Sequence, residues 1–435
     1  RCGLVLVDYD DQRAYQSASV LPVLHLKTML ADLAFGYYET PSDAMTIIAV
    51  TGTNGKTTVT RWLAQSLNQL GKKAAVIGTL GYGEPDQLKA HTGLTTPDVV
   101  GVHHLLHELR QAGFDTVCIE ASSIGLEQRR LACVSIDVAL FTNLSQDHLD
   151  YHGDMAAYGR SKMILASWPT LRLAVVNADD SFGVEFLAHV QHRNIDCSAV
   201  GHVSTADCQI VSVAHQEKGQ RIELKINGAI TQIDTPIIGE FNADNMALVF
   251  ATLVRLGYDA SEVKRALAAV TPAPGRMQHI EGEPAVVVDY AHTPDALEKT
   301  LLALRPFANK RMGKLWVVFG CGGDRDRSKR PLMGAVAAAK ADFVVLTSDN
   351  PRSEKPETIL QEIIAGIDTS RQNNIHVEVD RPVAIEFAVR KANSQDVVLL
   401  AGKGHESTQT IGTQVIAHSD AQCALTALSK RGAHA

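Results

Sequence analysis

Lys56, Thr57 and Thr58 close the run Val50-Thr51-Gly52-Thr53-Asn54-Gly55-Lys56-Thr57-Thr58, whose residue types suit the holding of a phosphate chain. Gly52 and Gly55 let the backbone turn tightly, so that N–H groups around Thr53 and Asn54 face one anion. A helix starting at the end of the run adds the partial positive charge of its N-terminus. Lys56 has the length to reach the β/γ-phosphates, and the Thr57 hydroxyl suits magnesium. The run departs from the general Walker pattern in having Val50 where that pattern has glycine, and takes the shorter form Gly-Thr-x-Gly-Lys-Thr. A surface turn with a solvated lysine would not need its flanks: an apolar stretch, Thr46 to Val50, before it, and helix-spaced apolar residues from Val59 to Leu70, closed by Gly71, after it.

Further acid and base chemistry lies downstream. Glu120 ends the apolar run Thr116-Val117-Cys118-Ile119-Glu120, and a strand-end carboxylate beside a phosphate loop is a natural ligand for a hard cation. Asn143-Leu144-Ser145-Gln146-Asp147-His148-Leu149-Asp150-Tyr151-His152-Gly153 packs two histidines and two aspartates into one loop. It reads as a polar turn or as a second metal site. Lys162 follows, and by its residue type alone it is an ordinary lysine on a helix surface.

The elements that must position these groups alternate between strand and helix from Met45 onward. Strands are expected at Lys73 to Gly78, Thr116 to Glu120 and Val134 to Phe141, and a strand and turn over Val175 to Asp180, with Thr96 or Asp98 capping the helix that runs through Leu109. This alternation predicts an α/β chain with a mostly parallel sheet, which binds ligands at the carboxyl ends of its strands. Residues from about Ser198 to Thr235 read as short antiparallel strands. Before Met45 we expect a strand at Gly3 to Val7 and a helix from Val20 to about Tyr37, too little for a separate core. After helices from Asn242 to about Val270, the breaker-rich Thr271-Pro272-Ala273-Pro274-Gly275-Arg276 marks a boundary. The last third is α/β again, with strands at Val286 to Tyr290, Leu315 to Phe319, Phe343 to Thr347 and Asp396 to Ala401. The expected domains are therefore 1–43, 44–275 and 276–435. Because the chain opens on Arg1 in mid-pattern, a natural start further upstream is expected.

Composition narrows the class. The chain has 435 residues and a formal net charge of −7, with no basic excess pointing to nucleic acid. No apolar run is long enough for a membrane span, and no signal peptide is visible. The seven cysteines include no Cys-x-x-Cys pair, so neither a zinc site nor a disulfide framework is expected, and a cytoplasmic setting fits.

In the last third, three charged loops follow strands. They are Cys321-Gly322-Gly323-Asp324-Arg325-Asp326-Arg327-Ser328-Lys329-Arg330-Pro331, Asp349-Asn350-Pro351-Arg352 and Gly402-Lys403-Gly404-His405-Glu406. Each alone could be solvated; three at strand ends make a cleft. Arg325 and Arg352 suit a bidentate clamp on a carboxylate, and Glu406 suits an ammonium.

Taken together, the phosphate loop, Glu120-Ala121-Ser122-Ser123, Thr142 to Gly153 and Asp289-Tyr290-Ala291-His292-Thr293-Pro294 resemble the motifs of the Mur ligases, in the same order, from about residue 45 onward. These are ATP-dependent amino-acid ligases of peptidoglycan precursor synthesis. The resemblance implies three domains: a truncated N-terminal domain, a central P-loop ATPase-like parallel-sheet domain and a C-terminal Rossmann-like α/β domain. It implies that ATP is held by Gly52, Thr53, Asn54, Gly55, Lys56, Thr57, Thr58, Asn245, Arg276, Asp289 and His292. It implies magnesium, two ions by expectation, on Thr57, Glu120, His148 and Lys162, the lysine carbamylated to a carboxylate-like ligand. Lys56, Glu120, His148 and Lys162 would then form the catalytic set.

Within that family, Asp349-Asn350-Pro351-Arg352 resembles the signature of the member that adds meso-diaminopimelate. That amino acid carries a distal carboxylate, which lysine lacks, and a buried Arg352 left without it would be penalised. The resemblance assigns Arg325, Asp349, Asn350, Arg352, Gly402 and Glu406 to this amino acid, and Thr95, Thr96, Ser122, Gln128 and Arg130 to UDP-N-acetylmuramoyl-L-alanyl-D-glutamate. Ile124 stands where many members have histidine. A monomer that works on small molecules, without nucleic acid or membrane, is expected. A lysine-adding enzyme, a folylpolyglutamate synthetase and a non-catalytic nucleotide-dependent module are the rivals. Arg352, the two C-terminal loops and the intact Lys56, Glu120, His148 and Lys162 argue against them in turn.

Overall fold

The computed structural model describes residues 5–9, 19–90, 93–216 and 219–432, without the side chains of 370, 372 and 373. The chain forms two compact units, one of Arg1–Gln209, Lys225–Ala229 and Asn245–Leu267, the other of Ile210–Leu224, Ile230–Asp244 and Ala268–Ala435.

In the first unit, β1 (Val5–Asp8) and β2 (Val20–Val23) pair in parallel, Val5 opposite Val20. Gly3 and Leu4 of the expected strand lie outside the described residues. The helix expected from Val20 starts later, as α1 (Leu26–Tyr37). Pro22 supplies the reason, because the residue before a proline is pushed out of the helical region.

The main sheet is built from β3 (Thr46–Thr51), β4 (Ala74–Gly78), β5 (Gly81–Gly83), β6 (Thr116–Glu120), β7 (Val138–Phe141), β8 (Leu173–Asn177) and β9 (Asp196–Gly201). Their order is β9-β8-β7-β3-β6-β4-β5, parallel throughout except for β5. Helices α2 (Lys56–Gln69), α3 (Val99–Gln111), α4 (Ser123–Glu127), α5 (Leu149–His152), α6 (Met155–Ala166) and α7 (Ser181–His192) connect them. Ile47, Ala49, Ile119, Phe141 and Val176 share one fully buried core, while α2 packs against β3, β4 and β6. Both faces are therefore covered, as a parallel sheet requires. The chain visits β4 and β6 on one side of β3, then returns to β7 on the other. The phosphate loop thus leaves β3 where strand order reverses, where such sheets open a crevice.

Two expectations about strands need correction. Residues 134–137 are not in β7: the Asp137 N–H donates to the Ile47 carbonyl at 3.0 Å, but its carboxylate, not a strand carbonyl, accepts from the Ile47 N–H at 2.8 Å. The stretch from Ser198 is not uniformly antiparallel: β9 runs parallel to β8. After β10 (Cys208–Gln216), β11 (Gly219–Ile226) and β12 (Ala229–Thr235) are joined through Asn227 and Gly228, both left-handed, the turn chemistry of a two-residue hairpin. Helices α8 (Glu240–Arg255) and α9 (Ala260–Ala268) follow.

The second unit carries the sheet β13 (Gln278–Ile280), β14 (Ala285–Asp289), β15 (Leu315–Phe319), β16 (Phe343–Leu346), β17 (Ile375–Val377) and β18 (Val397–Ala401), in the order β13-β14-β18-β15-β16-β17. Only β13 is antiparallel to its neighbour. Residues alternate between two cores: Val287, Val317 and Leu399 face one, Val286, Val318 and Leu400 the other. Helices α10 (Pro294–Lys310), α11 (Lys329–Lys340), α12 (Pro356–Ile364), α13 (Arg381–Lys391) and α14 (Asp420–Gly432) connect and cover these strands, and β19 (Thr408–Ile411) with β20 (Gln414–Ala417) forms a separate antiparallel hairpin.

Candidate functional site

In the first unit the run after β3 does fold as a phosphate loop. Gly52 and Gly55 have φ of 148° and 85°. A Cβ on Gly52 would come within 1.9 Å of Thr142 Oγ1, and one on Gly55 within 2.5 Å of Asn245 Oδ1, so both must be glycine. The segment after β7 braces the loop. The Asn54 N–H donates to Asn143 Oδ1 at 3.0 Å, Thr142 Oγ1 donates to the Asn54 carbonyl at 2.6 Å, and Thr53 Oγ1 meets Tyr158 Oη at 3.1 Å. The backbone carbonyl of Gly52 receives two ammonium groups, Lys56 Nζ and Lys162 Nζ, each at 2.8 Å. Thr58 is buried on the first turn of α2.

The expectation of a surface Lys162 from its residue type fails. Its side chain is 1% exposed, and its Nζ lies 4.3 Å from the centre of the Tyr158 ring. Burial, then the charge of Lys56, holds its pKa well below the ordinary lysine value, with Asp147 only partly opposing.

Glu120 is 1% exposed at the end of β6, and both its oxygens accept from Thr57 Oγ1, at 2.9 and 3.0 Å. Thr79, which no motif singled out, also binds both, through its N–H at 2.9 Å and its hydroxyl at 3.2 Å. This pair of hard oxygens at the phosphate loop fits a magnesium ion. Among the described residues no three or more His, Cys, Asp or Glu gather as a metal cluster. His148 is left-handed at φ 53° with its ring half exposed, 3.5 Å from Asp147 and 6.2 Å, centroid to centroid, from Tyr158. His152 points inward instead. Its ring lies between Glu127 Oε2 at 3.1 Å and Ser123 Oγ at 3.0 Å, and burial lowers its pKa.

Four of the five residues expected to hold the UDP substrate form one chain of bonds, and Thr95 bonds Thr79 instead. Thr79 Oγ1 meets Thr95 Oγ1 at 3.1 Å, Thr96 Oγ1 meets Ser122 Oγ at 2.9 Å, Arg130 Nη1 donates to the Thr96 carbonyl, and Arg130 Nη2 donates to Gln128 Oε1 at 2.7 Å. Ser122 caps α4 by accepting from the Gly125 N–H, and Asp98, not Thr96, caps α3.

In the second unit Asp289 is buried at the end of β14 and accepts from the N–H groups of Met277 and Ala291 and from Thr300 Oγ1. Burial raises its pKa against the pull of Arg276. The Arg276 guanidinium lies 4.4 Å from the centre of the Tyr290 ring, and the His292 and His405 rings lie 4.7 and 5.5 Å from the same ring. Arg276 Nε and His405 Nδ1 are buried without a hydrogen-bond partner, which fits a site completed by a ligand.

The three charged loops converge. Asn350 donates to Glu406 Oε2 at 2.9 Å, and Lys403 Nζ, whose side chain is fully buried, reaches the same Oε2 at 2.8 Å and Asn350 Oδ1 at 3.2 Å. Glu406 thus already holds an internal ammonium, which the motif reading missed. A Cβ on Gly402 would lie 2.8 Å from Asp349 Oδ2. Arg352 is left-handed at φ 50°, and its Nη1 donates to the Gly323 carbonyl at 2.8 Å. Arg325 is exposed, its stem beside Gly322. Behind these loops, buried Arg330 bonds both oxygens of Glu354 and reaches Glu362, pulling Glu354 down to about 2. Arg381 pairs with Asp420 in full burial and donates to the carbonyls of Ser348 and Ala401, the residues before the second and third loops.

Comparison with known proteins matches the Mur ligase middle domain to residues 50–253 and the Mur ligase glutamate ligase domain to residues 275–404. The UDP-N-acetylmuramoyl-L-alanyl-D-glutamate--2,6-diaminopimelate ligase of Janthinobacterium sp. (strain Marseille) is 44% identical, the match covering 94% of this chain and 83% of that protein. Its namesake from Ralstonia nicotianae is 46% identical over 96% and 83%. A solved structure of a ligase of the same name superposes with a TM-score of 0.70 at 36% identity, over 96% of this chain and 85% of that one. Mycobacterium tuberculosis folylpolyglutamate synthase with ADP also reaches 0.70, at 19% identity over 86% and 92%, a likeness of fold alone. With both domain models matched in chain order and such relatives along nearly its whole length, the chain belongs to the Mur ligase family.

Proposed function

We propose that this chain adds meso-diaminopimelate to UDP-N-acetylmuramoyl-L-alanyl-D-glutamate, using ATP. The observation that carries this is identity of 44–46% to ligases of that name over more than nine-tenths of the chain. The γ-phosphoryl of ATP passes to a carboxylate of the UDP substrate, giving an acyl phosphate and ADP. The amine of diaminopimelate then attacks the acyl carbon, phosphate leaves, and an amide forms.

The residues supply position and charge, not covalent chemistry. The phosphate loop's N–H groups and Lys56 hold the phosphates, and Lys56 exchanges its bonds to the loop's own carbonyls for bonds to ATP. Thr57, Glu120, His148 and the carbamate of Lys162 would hold magnesium, with Thr79 orienting Glu120. Magnesium supplies neutralisation of phosphate charge when bound. Burial lowers the Lys162 pKa, which favours the free amine that carbamate formation needs. Thr95, Thr96, Ser122, Gln128 and Arg130 hold the UDP substrate, while Asn245, Arg276, Asp289 and His292 serve the nucleotide. Arg325 and Arg352 clamp the distal carboxylate of diaminopimelate, with Asp349, Asn350, Gly402 and Glu406 around its amine. The regions 44–275 and 276–435 divide these tasks as the ATP-binding and amino-acid-binding domains. No helix among the described residues is long and apolar enough to cross a membrane, and the small, charged substrates fit a cytoplasmic monomer.

The test is ATP-dependent phosphate release with the UDP-muramoyl dipeptide, comparing meso-diaminopimelate with L-lysine. Preference for diaminopimelate, lost in Arg352→Ala, is expected. Turnover with lysine alone would overturn the assigned amino acid, and no turnover with either would overturn the ligase.

A further inference from the structure

The four residues Asp349-Asn350-Pro351-Arg352 are tied at three points to β19 and the turn that follows it, a segment no motif had marked. Gln409, 3% exposed, donates its amide to the Asp349 carbonyl at 2.7 Å and to the Ser348 carbonyl at 3.5 Å. The Thr410 N–H donates to Asn350 Oδ1 at 2.9 Å. The Arg352 N–H donates to the Thr410 carbonyl at 3.1 Å, and the Gly412 N–H donates to the Arg352 carbonyl at 2.7 Å. Arg352 and Ile411 thereby form an isolated parallel bridge. These bonds do two things. They hold the left-handed backbone of Arg352, which a free loop would abandon. They also occupy the Asn350 oxygen, which leaves its amide for Glu406.

We propose that Gln409 is a positioning residue for amino-acid selection. It acts through the backbone of Asp349, fixing where Asn350 and Arg352 present their side chains, and touches no substrate itself. Ser348 and Asp349 follow the end of β16 at Leu346; the Ser348 carbonyl is also held by Arg381, while the Asp349 carbonyl is met by Gln409 at 2.7 Å. The Gln409 amide thus bonds the backbone on the approach to Asn350 and Arg352. The proposal rests on the reading of this loop as the amino-acid site.

The experiment compares the full chain with Gln409→Met, which keeps length and loses both N–H donors, and with Gln409→Glu, which keeps shape and presents an acceptor to the same carbonyls. Steady-state phosphate release is measured with meso-diaminopimelate and with L-lysine, alongside thermal melting. The loss of one such bond predicts a KM for diaminopimelate raised about tenfold. The preference over lysine should fall by a similar factor, with kcat and the KM for ATP within about twofold. Equal loss in kcat and in all KM values, an unchanged KM for diaminopimelate, or failure of both variants to fold would assign Gln409 to the core and overturn the proposal. The unsubstituted chain separates this result from the functional reading. If it uses a different amino acid, that reading falls, and the KM for the amino acid it does use scores Gln409.

Discussion

Lys162 and Lys56 both send Nζ to one carbonyl, that of Gly52, and burial beside another cation lowers the Lys162 pKa well below the ordinary lysine value. A neutral amine reacts with carbon dioxide, whereas a guanidinium does not. Lys162→Arg should therefore lower phosphate release by about 100-fold or more, while the charge-mimicking Lys162→Glu retains part of the activity. Equal activity of the arginine variant and the parent would remove carbamylation from the mechanism. Thr79 is a second case at this scale. It bonds both oxygens of Glu120 and so orients the carboxylate. Thr79→Val is expected to raise the magnesium concentration needed for half-maximal rate by about 10-fold or more, and a magnesium titration would show it. Glu120 was legible because it ends a strand beside a phosphate loop. Thr79 was not, because it lies in another connection and meets Glu120 only once β4 and β6 are neighbours. Lys162 and Lys403 were misread or missed for one reason: burial of a charge is invisible in residue type.

At the scale of elements, the ends of β16 and β18 are fixed by one guanidinium. Arg381 bonds the Ser348 and Ala401 carbonyls and both oxygens of Asp420, whose pKa burial would raise but which the ion pair holds low. Removing one partner of such a pair leaves a buried charge, so Arg381→Ala should cost about 3–5 kcal/mol in denaturant unfolding. Arg381→Lys would recover only part of this, since one ammonium cannot reproduce the fork. The loops that follow β15 and β16 are joined by Arg330 and Glu354 instead. Because Glu354 is depressed to about 2, its contribution to stability is complete above the usual glutamate range near 4.5 and is lost as pH falls through about 2. Glu354→Gln should therefore be less stable than the parent at neutral pH and approach it on acidification. A difference between the two that stays constant from pH 7 to pH 2.5 would contradict the assignment.

At the scale of the whole chain, alternation of strands and helices was enough to foresee two parallel-rich sheets, and most strand positions came within a residue or two. The misses share a physical origin. Val20 to Val23 has the apolar content of a helix start, but Pro22 extends it. Val134 to Ile136 is apolar enough for a strand, yet Asp137 caps a neighbouring N–H and the ladder begins after it. The β19–β20 hairpin carried no signal, since its exposed face and short strands look like loop, although it bonds the loop proposed to read the amino acid.

Two residues with proposed ligand contacts, His148 and Arg352, sit at φ 53° and 50°, where side chains with a Cβ are disfavoured by about 1–3 kcal/mol. A population of variants screened for heat resistance alone would drift toward glycine or asparagine at these two positions. His148→Gly should melt no lower than the parent while losing turnover, because durability and catalysis ask for different residues at the same backbone angle.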